Sequence, residues 1–305
     1  MTSVQIREPA PAKVNLFLHV RGRRKDGYHR LESLVAFAEL GDDVELDVVS
    51  TDGRTHESES VIVKGPFAPA LHAALADGAR LTIETAYEIA RAAARPRRFQ
   101  VDVTLMKNLP VAAGLGGGSA DGAAVLRALA RAFALGWSEA ETQSAARAIG
   151  ADAPACVASR PLMMSGIGEE IAPLAAWPDL DIVLANPGRP LATAAVFAAF
   201  AEQGGAFSEA HPPPPATLDA AEALAYLAEA RNDLEAPASA LEPRVEETLA
   251  LLRAQEGTLL ARLSGSGATC WAAFESAEAA RRAAEAMRRA QPEWWIEATR
   301  VVGTR

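Results

Sequence analysis

The stretch Pro110-Val111-Ala112-Ala113-Gly114-Leu115-Gly116-Gly117-Gly118-Ser119-Ala120-Asp121 places four glycines directly ahead of a helical pattern. Bare backbone N–H groups in such a loop, with the positive end of the helix dipole behind them, receive polyphosphate. Two familiar phosphate loops are excluded. The dinucleotide pattern G-x-G-x-x-G fails because Ser119 stands three residues after Gly116, and a P-loop fails because no lysine follows a glycine. Ser119 offers its hydroxyl to a phosphate or to Mg²⁺, and would read the same as a plain N-cap. A flexible loop that only permits tight packing is the structural alternative; the amphipathic helix starting at its end argues for the phosphate.

Lysine is scarce, with Lys13, Lys25, Lys64 and Lys107 against twenty-six arginines. Lys13 and Asn15 share the polar face of an early strand and together could orient a hydroxyl or a phosphate; a solvated surface lysine is the plain alternative. Asp152, in Gly150-Ala151-Asp152-Ala153-Pro154, is a candidate carboxylate where a turn residue would also fit. Tyr28 and His29 set an aromatic face beside a switchable hydrogen-bonding ring, or else fill a turn. Ser264-Gly265-Ser266-Gly267-Ala268 joins two strands with small residues only, as a hairpin turn or as backbone approaching a ligand closely.

Holding these residues requires particular elements. Ala12, Val14, Leu16, Leu18 and Val20 alternate with Lys13, Asn15, Phe17 and His19, which predicts a half-buried strand over 10–20. Residues 21–30 are expected to be a loop, and Val44, Leu46 and Val48 mark a second strand. A helix is predicted over 81–94 and a strand over 101–105, feeding the glycine loop. Val125, Leu126, Leu129 and Phe133 then recur at helical spacing from near Ser119. Ser138 with Glu141 has capping-box spacing for a helix running to Ile149, with Gly150 as its left-handed stop. The remainder reads as strand 181–185, helices 193–201 and 243–253, strands 258–263 and 269–274, helix 277–290 and strand 295–302. That is the ferredoxin-like β-α-β-β-α-β order with an extra helical excursion. Gly204–Pro215, with four consecutive prolines, is expected to be a surface excursion.

At 305 residues, half of them hydrophobic, the chain can bury a substantial core. A net charge of -9 with scattered arginines speaks against a nucleic-acid partner. No apolar run reaches the roughly 18 residues that span a bilayer, so no membrane association and a cytoplasmic location are expected. Cys156 and Cys270 lack metal or disulfide spacing and are expected to be small buried apolar residues.

Taken together, Ala12-Lys13-Val14-Asn15, the Pro-x-x-x-Gly-Leu-Gly-Gly-Gly-Ser loop and Leu263-Ser264-Gly265-Ser266-Gly267-Ala268 resemble the galactokinase, homoserine, mevalonate and phosphomevalonate (GHMP) kinase superfamily. Within it, Pro11-Ala-Lys13-Val-Asn15-Leu, Arg24-Lys-Asp-Gly27-Tyr28-His29-Arg-Leu-Glu-Ser, Gly150-Ala-Asp152-Ala-Pro154 and Asn186-Pro-Gly resemble the 4-diphosphocytidyl-2-C-methyl-D-erythritol kinases. The resemblance implies an α+β fold of two domains: an N-terminal mixed α/β domain over 1–168 and a C-terminal ferredoxin-like domain over 169–305. It implies ATP and Mg²⁺ as cofactors and a cytidine-diphosphate-linked methylerythritol as the small-molecule substrate. It assigns catalysis to Lys13 and Asp152, ATP binding to Lys107 and residues 110–120, and stacking on the cytosine to Tyr28 and Phe197. His29 would bond the cytosine edge, with Asn15 and Thr193 along the substrate. Val35 and Asp121 depart from the pattern, Val35 where relatives can carry an aromatic ring and Asp121 by adding a negative charge. A sister kinase for homoserine, mevalonate or another small alcohol, and a non-catalytic nucleotide-binding module, are the rival readings.

Overall fold

The structure, a computed structural model, describes residues 3–51, 58–95 and 97–304. It divides into two compact units, neither continuous in sequence: residues 1–12, 41–111 and 116–158 form the first, and 13–40, 112–115 and 159–305 the second. The long strands β1 (Ser3–Arg23) and β2 (His29–Thr51) run through both.

In the first unit β2 is followed by β3 (Ser58–Lys64), α1 (Ala68–Ala76), α2 (Thr82–Ala94), β4 (Arg98–Met106), α3 (Gly117–Ala132), α4 (Glu139–Ala146) and α5 (Ala153–Ala158). β4 pairs antiparallel with β2 from Asp43↔Met106 to Thr51↔Arg98, and parallel with β3. Its alternation is clean: Phe99, Val101, Val103 and Leu105 are buried while Gln100, Asp102 and Thr104 are not, the pattern of a sheet with one face on the core. α2 and α3 pack together; α2 buries Ile83, Ala86, Tyr87 and Ala90, and α3 is buried almost continuously from Ala120 to Leu129. Each such aliphatic side chain contributes about 1.5–3 kcal/mol on full burial.

Two sequence expectations change here. α3 starts at Gly117 with Gly116 as N-cap in the left-handed region, φ 63°, so Ser119 lies within the first turn and is not the cap. The helix after Ser138 has its full capping box but ends at Ala146, and Gly150 does not adopt a left-handed φ. Instead the amides of Ala148 and Ile149 reach back three residues to the carbonyls of Ala145 and Ala146, tightening the last turn so that no left-handed residue is needed.

The second unit continues with β5 (Leu162–Gly166), β6 (Glu170–Pro173), β7 (Leu180–Asn186), α6 (Thr193–Glu202), α7 (Ala220–Ala228), α8 (Glu235–Leu241), α9 (Arg244–Arg253), β8 (Thr258–Leu263), β9 (Cys270–Phe274), α10 (Ala277–Ala290) and β10 (Trp295–Val302). The strands lie in the order β10-β7-β9-β8, all antiparallel. Numbered as a four-strand unit this is 4-1-3-2, the order of the ferredoxin-like motif. α10 buries Ala279, Ala280, Ala283, Ala284 and Met287, one face at helical spacing. They meet Val183, Ala185, Ala272, Phe274 and Ile296 in a core that also takes in Cys270. Both cysteines are buried, and burial pushes the Cys270 thiol well up.

In this unit the early strand differs from expectation: from Ala12 to Val20, β1 is buried on both faces. Lys13, Asn15 and His19 are 5%, 3% and 5% exposed, and Phe17 is fully buried, so Lys13 is no surface lysine. The expected loop over 21–30 shrinks to 24–28, closed by the Tyr28 carbonyl accepting from the Arg24 amide at 2.7 Å. β2 begins at His29 and pairs with β5 from Leu31↔Gly166 to Val35↔Leu162. Gly204–Pro215 carries no helix or strand beyond the turn at its start, as expected. It is tied down, though, by Ser208 N–H to the Val20 carbonyl (2.9 Å) and Ser208 Oγ to Asp233 (2.6 Å). Among the described residues no helix is long and apolar enough to cross a membrane.

Candidate active site

In the first unit β4 delivers Lys107 to the base of the glycine loop. Its Nζ lies 2.5 Å from Asp42 Oδ2 and 2.7 Å from Asp121 Oδ2, all three side chains 5% exposed or less. Burial alone would lower the lysine, but the charges of Asp121 and Asp42 more than reverse this and raise it. Burial pushes Asp121 up to about 7 against the pull of Lys107. Gly41, just ahead of Asp42, has a physical reason to be glycine: a Cβ there would stand 2.4 Å from the Ala10 carbonyl oxygen. At the start of α3, Thr82 Oγ1 donates to the Gly118 carbonyl at 2.5 Å, and Gly122 leaves room for Thr82 and Ile149. Asp152 sits in the turn before α5, its carbonyl accepting the Cys156 amide at 3.1 Å. Gly150 lies near the loop, since a Cβ on it would be 3.7 Å from Ser119 Oγ.

The middle of the loop, Ala112–Leu115, is counted with the second unit. The Leu115 carbonyl accepts the Lys13 amide at 2.9 Å, and the Ala113 carbonyl accepts the Thr269 amide at 3.1 Å. Gly114 has φ 76°, and a Cβ on it would meet the Ser264 carbonyl oxygen at 2.4 Å. The Ser264–Ala268 turn therefore packs directly on the glycine loop, and its small residues are there for that approach. Ser264 Oγ donates to the Gly114 carbonyl (3.0 Å) and accepts the Asn15 amide (3.2 Å). Asn232 holds the turn from behind through the carbonyls of Leu263 and Gly265.

On β1, Lys13 Nζ donates to Asn15 Oδ1 at 3.1 Å, and Asn15 Nδ2 donates to Ser33 Oγ at 2.8 Å. The indole N–H of Trp271 caps the Asn15 carbonyl at 3.0 Å. The amide of Asn15 is thus fixed in orientation, with its oxygen toward the lysine. Thr193, the first residue of α6, lies with its hydroxyl 2.9 Å from that of Ser266. His29 and Phe197 stack at 5.1 Å between centroids and 16° between planes, and Phe200 meets His29 edge-on. Burial, then the nearby Arg23, lowers His29, keeping its ring neutral. Tyr28 is 62% exposed at the hairpin tip. A flat aromatic pair beside an exposed tyrosine is suited to a heteroaromatic base.

Residues 80–160 match the GHMP kinases N terminal domain and residues 217–293 the GHMP kinases C terminal family. A protein of Paracoccus denitrificans (strain Pd 1222) named 4-diphosphocytidyl-2-C-methyl-D-erythritol kinase is 48% identical over 297 residues, 96% of each chain. The chain belongs to the 4-diphosphocytidyl-2-C-methyl-D-erythritol kinases. A relative of the same name from Methylorubrum extorquens (strain PA1) is 47% identical, covering 96% of this chain and 97% of its own. A crystal structure of a 4-(cytidine 5'-diphospho)-2C-methyl-D-erythritol kinase superposes with a TM-score of 0.74 at 33% identity, covering 98% of this chain and 100% of that one. Mevalonate kinase of L. major, at 16% identity and TM-score 0.68, shares the fold.

Of the residues singled out by sequence, the second unit brings Lys13 to Asn15 and His29 to Phe197, and the first joins Lys107 to Asp121. Sequence reasoning passed over Asp42, Thr82 and Asn232, and gave no role to Ser33, the last residue of the Arg24–Ser33 motif. Asp42 had a faint signal, as half of an acidic pair directly after a glycine. Thr82 had none, since a hydroxyl at a helix start is ordinary.

Proposed function

We propose that the protein transfers the γ-phosphoryl group of ATP to the 2-hydroxyl of 4-diphosphocytidyl-2-C-methyl-D-erythritol, giving the 2-phosphate and ADP, a step in non-mevalonate isoprenoid precursor synthesis. The full-length likeness to enzymes of that name carries the reading. The stacked His29–Phe197 pair supports the cytidine half of the substrate. In this mechanism Tyr28 and Phe197 stack on the cytosine and His29, neutral, bonds its edge. Asn15, held by Ser33, and Thr193 orient the methylerythritol. Asp152 accepts the hydroxyl proton as the oxygen attacks the γ-phosphorus; the new O–P bond forms as the bond to the β–γ bridging oxygen breaks, and ADP departs. Lys13 offsets the charge developing on the transferring group, and backbone amides between Val111 and Ser119 hold the phosphates. Ser119 Oγ, in the first turn of α3, fits Mg²⁺, which is commonly held by one or two protein groups plus substrate phosphates. Bound with ATP, the ion would neutralise phosphate charge.

The test is direct. Purified protein with Mg-ATP and the cytidylated substrate, with mevalonate and homoserine as controls, is followed by ADP release and phosphorus NMR. A new 2-phosphate on the cytidylated substrate alone is expected; ADP release only with a control alcohol would overturn the substrate, and no turnover with any would overturn the kinase reading.

A further inference from the structure

Asp42 cannot reach a nucleotide, since its side chain is fully buried, yet it holds every residue that leads into the glycine loop. Oδ1 accepts the amides of Asn108 (2.6 Å) and Leu109 (2.9 Å), and Oδ2 accepts the ammonium of Lys107 (2.5 Å). The lysine then spans to Asp121 Oδ2 at 2.7 Å, on α3 beyond the loop. The backbone of Lys107 is also fixed: its amide donates to the Lys64 carbonyl at 2.7 Å, and its carbonyl accepts the Phe67 amide at 3.1 Å. The first helical residue after the loop lies against this cluster. A Cβ on Gly117 would stand 3.2 Å from Lys107 Nζ and 3.6 Å from Asp42 Oδ2. One carboxylate and one ammonium therefore connect the entry of the loop at 107–109 to its exit at 117–121.

The charge balance points the same way. Two carboxylates surround a single ammonium, and Asp121 Oδ1 is buried with no hydrogen-bond partner among the described residues. Enclosed in this way, Lys107 presents little net positive charge to a phosphate, because the nearest opposite charges are bonded to it. We propose that Asp42 is a positioning residue for the nucleotide loop, acting through Lys107, and that this lysine serves as the brace between the loop's two ends and not as a free phosphate ligand. The proposal deepens the kinase reading and rests on the loop being the nucleotide site.

Full-length wild type, Asp42→Asn, Lys107→Met and the double variant are titrated by calorimetry with magnesium AMP-PNP. Thermal melts and the Michaelis constants for ATP and for the cytidylated substrate are recorded alongside. Asp42→Asn is expected to weaken nucleotide binding ~10-fold, the size of one lost charge-assisted hydrogen bond. The Michaelis constant for the alcohol substrate should stay unchanged, which a general loss of structure would not allow. The double variant should bind no worse than Lys107→Met alone, since both remove the same contact. Wild-type affinity in Asp42→Asn together with weak binding in Lys107→Met would overturn the brace and make the lysine a direct ligand. A wild type that binds no nucleotide would overturn the loop reading, and the brace with it. If Asp42→Asn melts below the assay temperature, amide hydrogen exchange on the wild type decides: residues 107–109 and 117–121 protected before nucleotide is added support the brace, and free exchange there overturns it.

Discussion

Two of the four lysines are buried, and the two units surround them differently. Lys107 is enclosed by two carboxylates, one of which, Asp42, also holds the backbone of Asn108 and Leu109, so its ammonium is part of the scaffold. Lys13 donates, within its own unit, to a neutral amide oxygen, and that amide is oriented by Ser33. A buried ammonium held between carboxylates is expensive to disturb, because removing it leaves them buried without a counter-charge. Burial alone does not tell a lysine that does chemistry from one that holds a scaffold.

Substitution tests that contrast directly. Asp152→Asn should lower kcat by about 10²–10⁴, the usual range for a lost general base, with the melting temperature unchanged; near-normal turnover would remove the base assignment. Lys13→Met should likewise lower kcat far more than stability. Lys107→Met should do the reverse, costing about 3–5 kcal/mol in urea unfolding because two buried carboxylates lose their counter-charge. Should the losses in Lys13→Met and Lys107→Met fall the other way round, the contrast fails. Phe197→Ala should cost about 1–3 kcal/mol of substrate binding, the range for base stacking, read as a raised Michaelis constant for the cytidylated substrate with that for ATP unchanged.

The smallest effect concerns pH. Burial lowers His19, in the second unit, from 6.5 to about 4. Its neutral form therefore contributes stability that is full above pH 6.5 and lost as pH falls toward 4. Asp121, in the first unit, is raised from 3.8 to about 7; its contribution is full below pH 3.8 and lost as pH rises toward 7. Urea midpoints measured across pH 4–7 should show His19→Gln flattening the acid-side loss and Asp121→Asn flattening the opposite slope. Parallel shifts in both variants would show that neither group titrates differently on folding.

What the residues revealed follows from how local each signal is. β8, α10 and β10 appear with the predicted bounds; in α10 the signal is plain, because Ala279, Ala280, Ala283, Ala284 and Met287 put one face on the core. The N-terminal half of β2 escaped notice: Leu34, Val35, Ala36, Phe37 and Ala38 are all buried, a run with no alternation to read. The burial of this part of β1 was equally hidden, since Ser264 and Trp271, which bond the backbone of Asn15, lie some 250 residues away. The glycine loop was legible as a motif, but not the carboxylate that fixes its entry, which comes from a distant strand.

The glycine loop also carries a consequence for synthesis of the chain. Its central carbonyls, at Ala113 and Gly114, are bonded to Thr269 and Ser264, the latter 150 residues downstream. Elements near the amino terminus can form as the chain leaves the ribosome, but a segment whose partners lie this far ahead must wait for them. The loop acquires its final shape only after nearly the whole polypeptide has been made, so a truncated chain ending before Ser264 lacks the contacts that set it and should not sequester ATP.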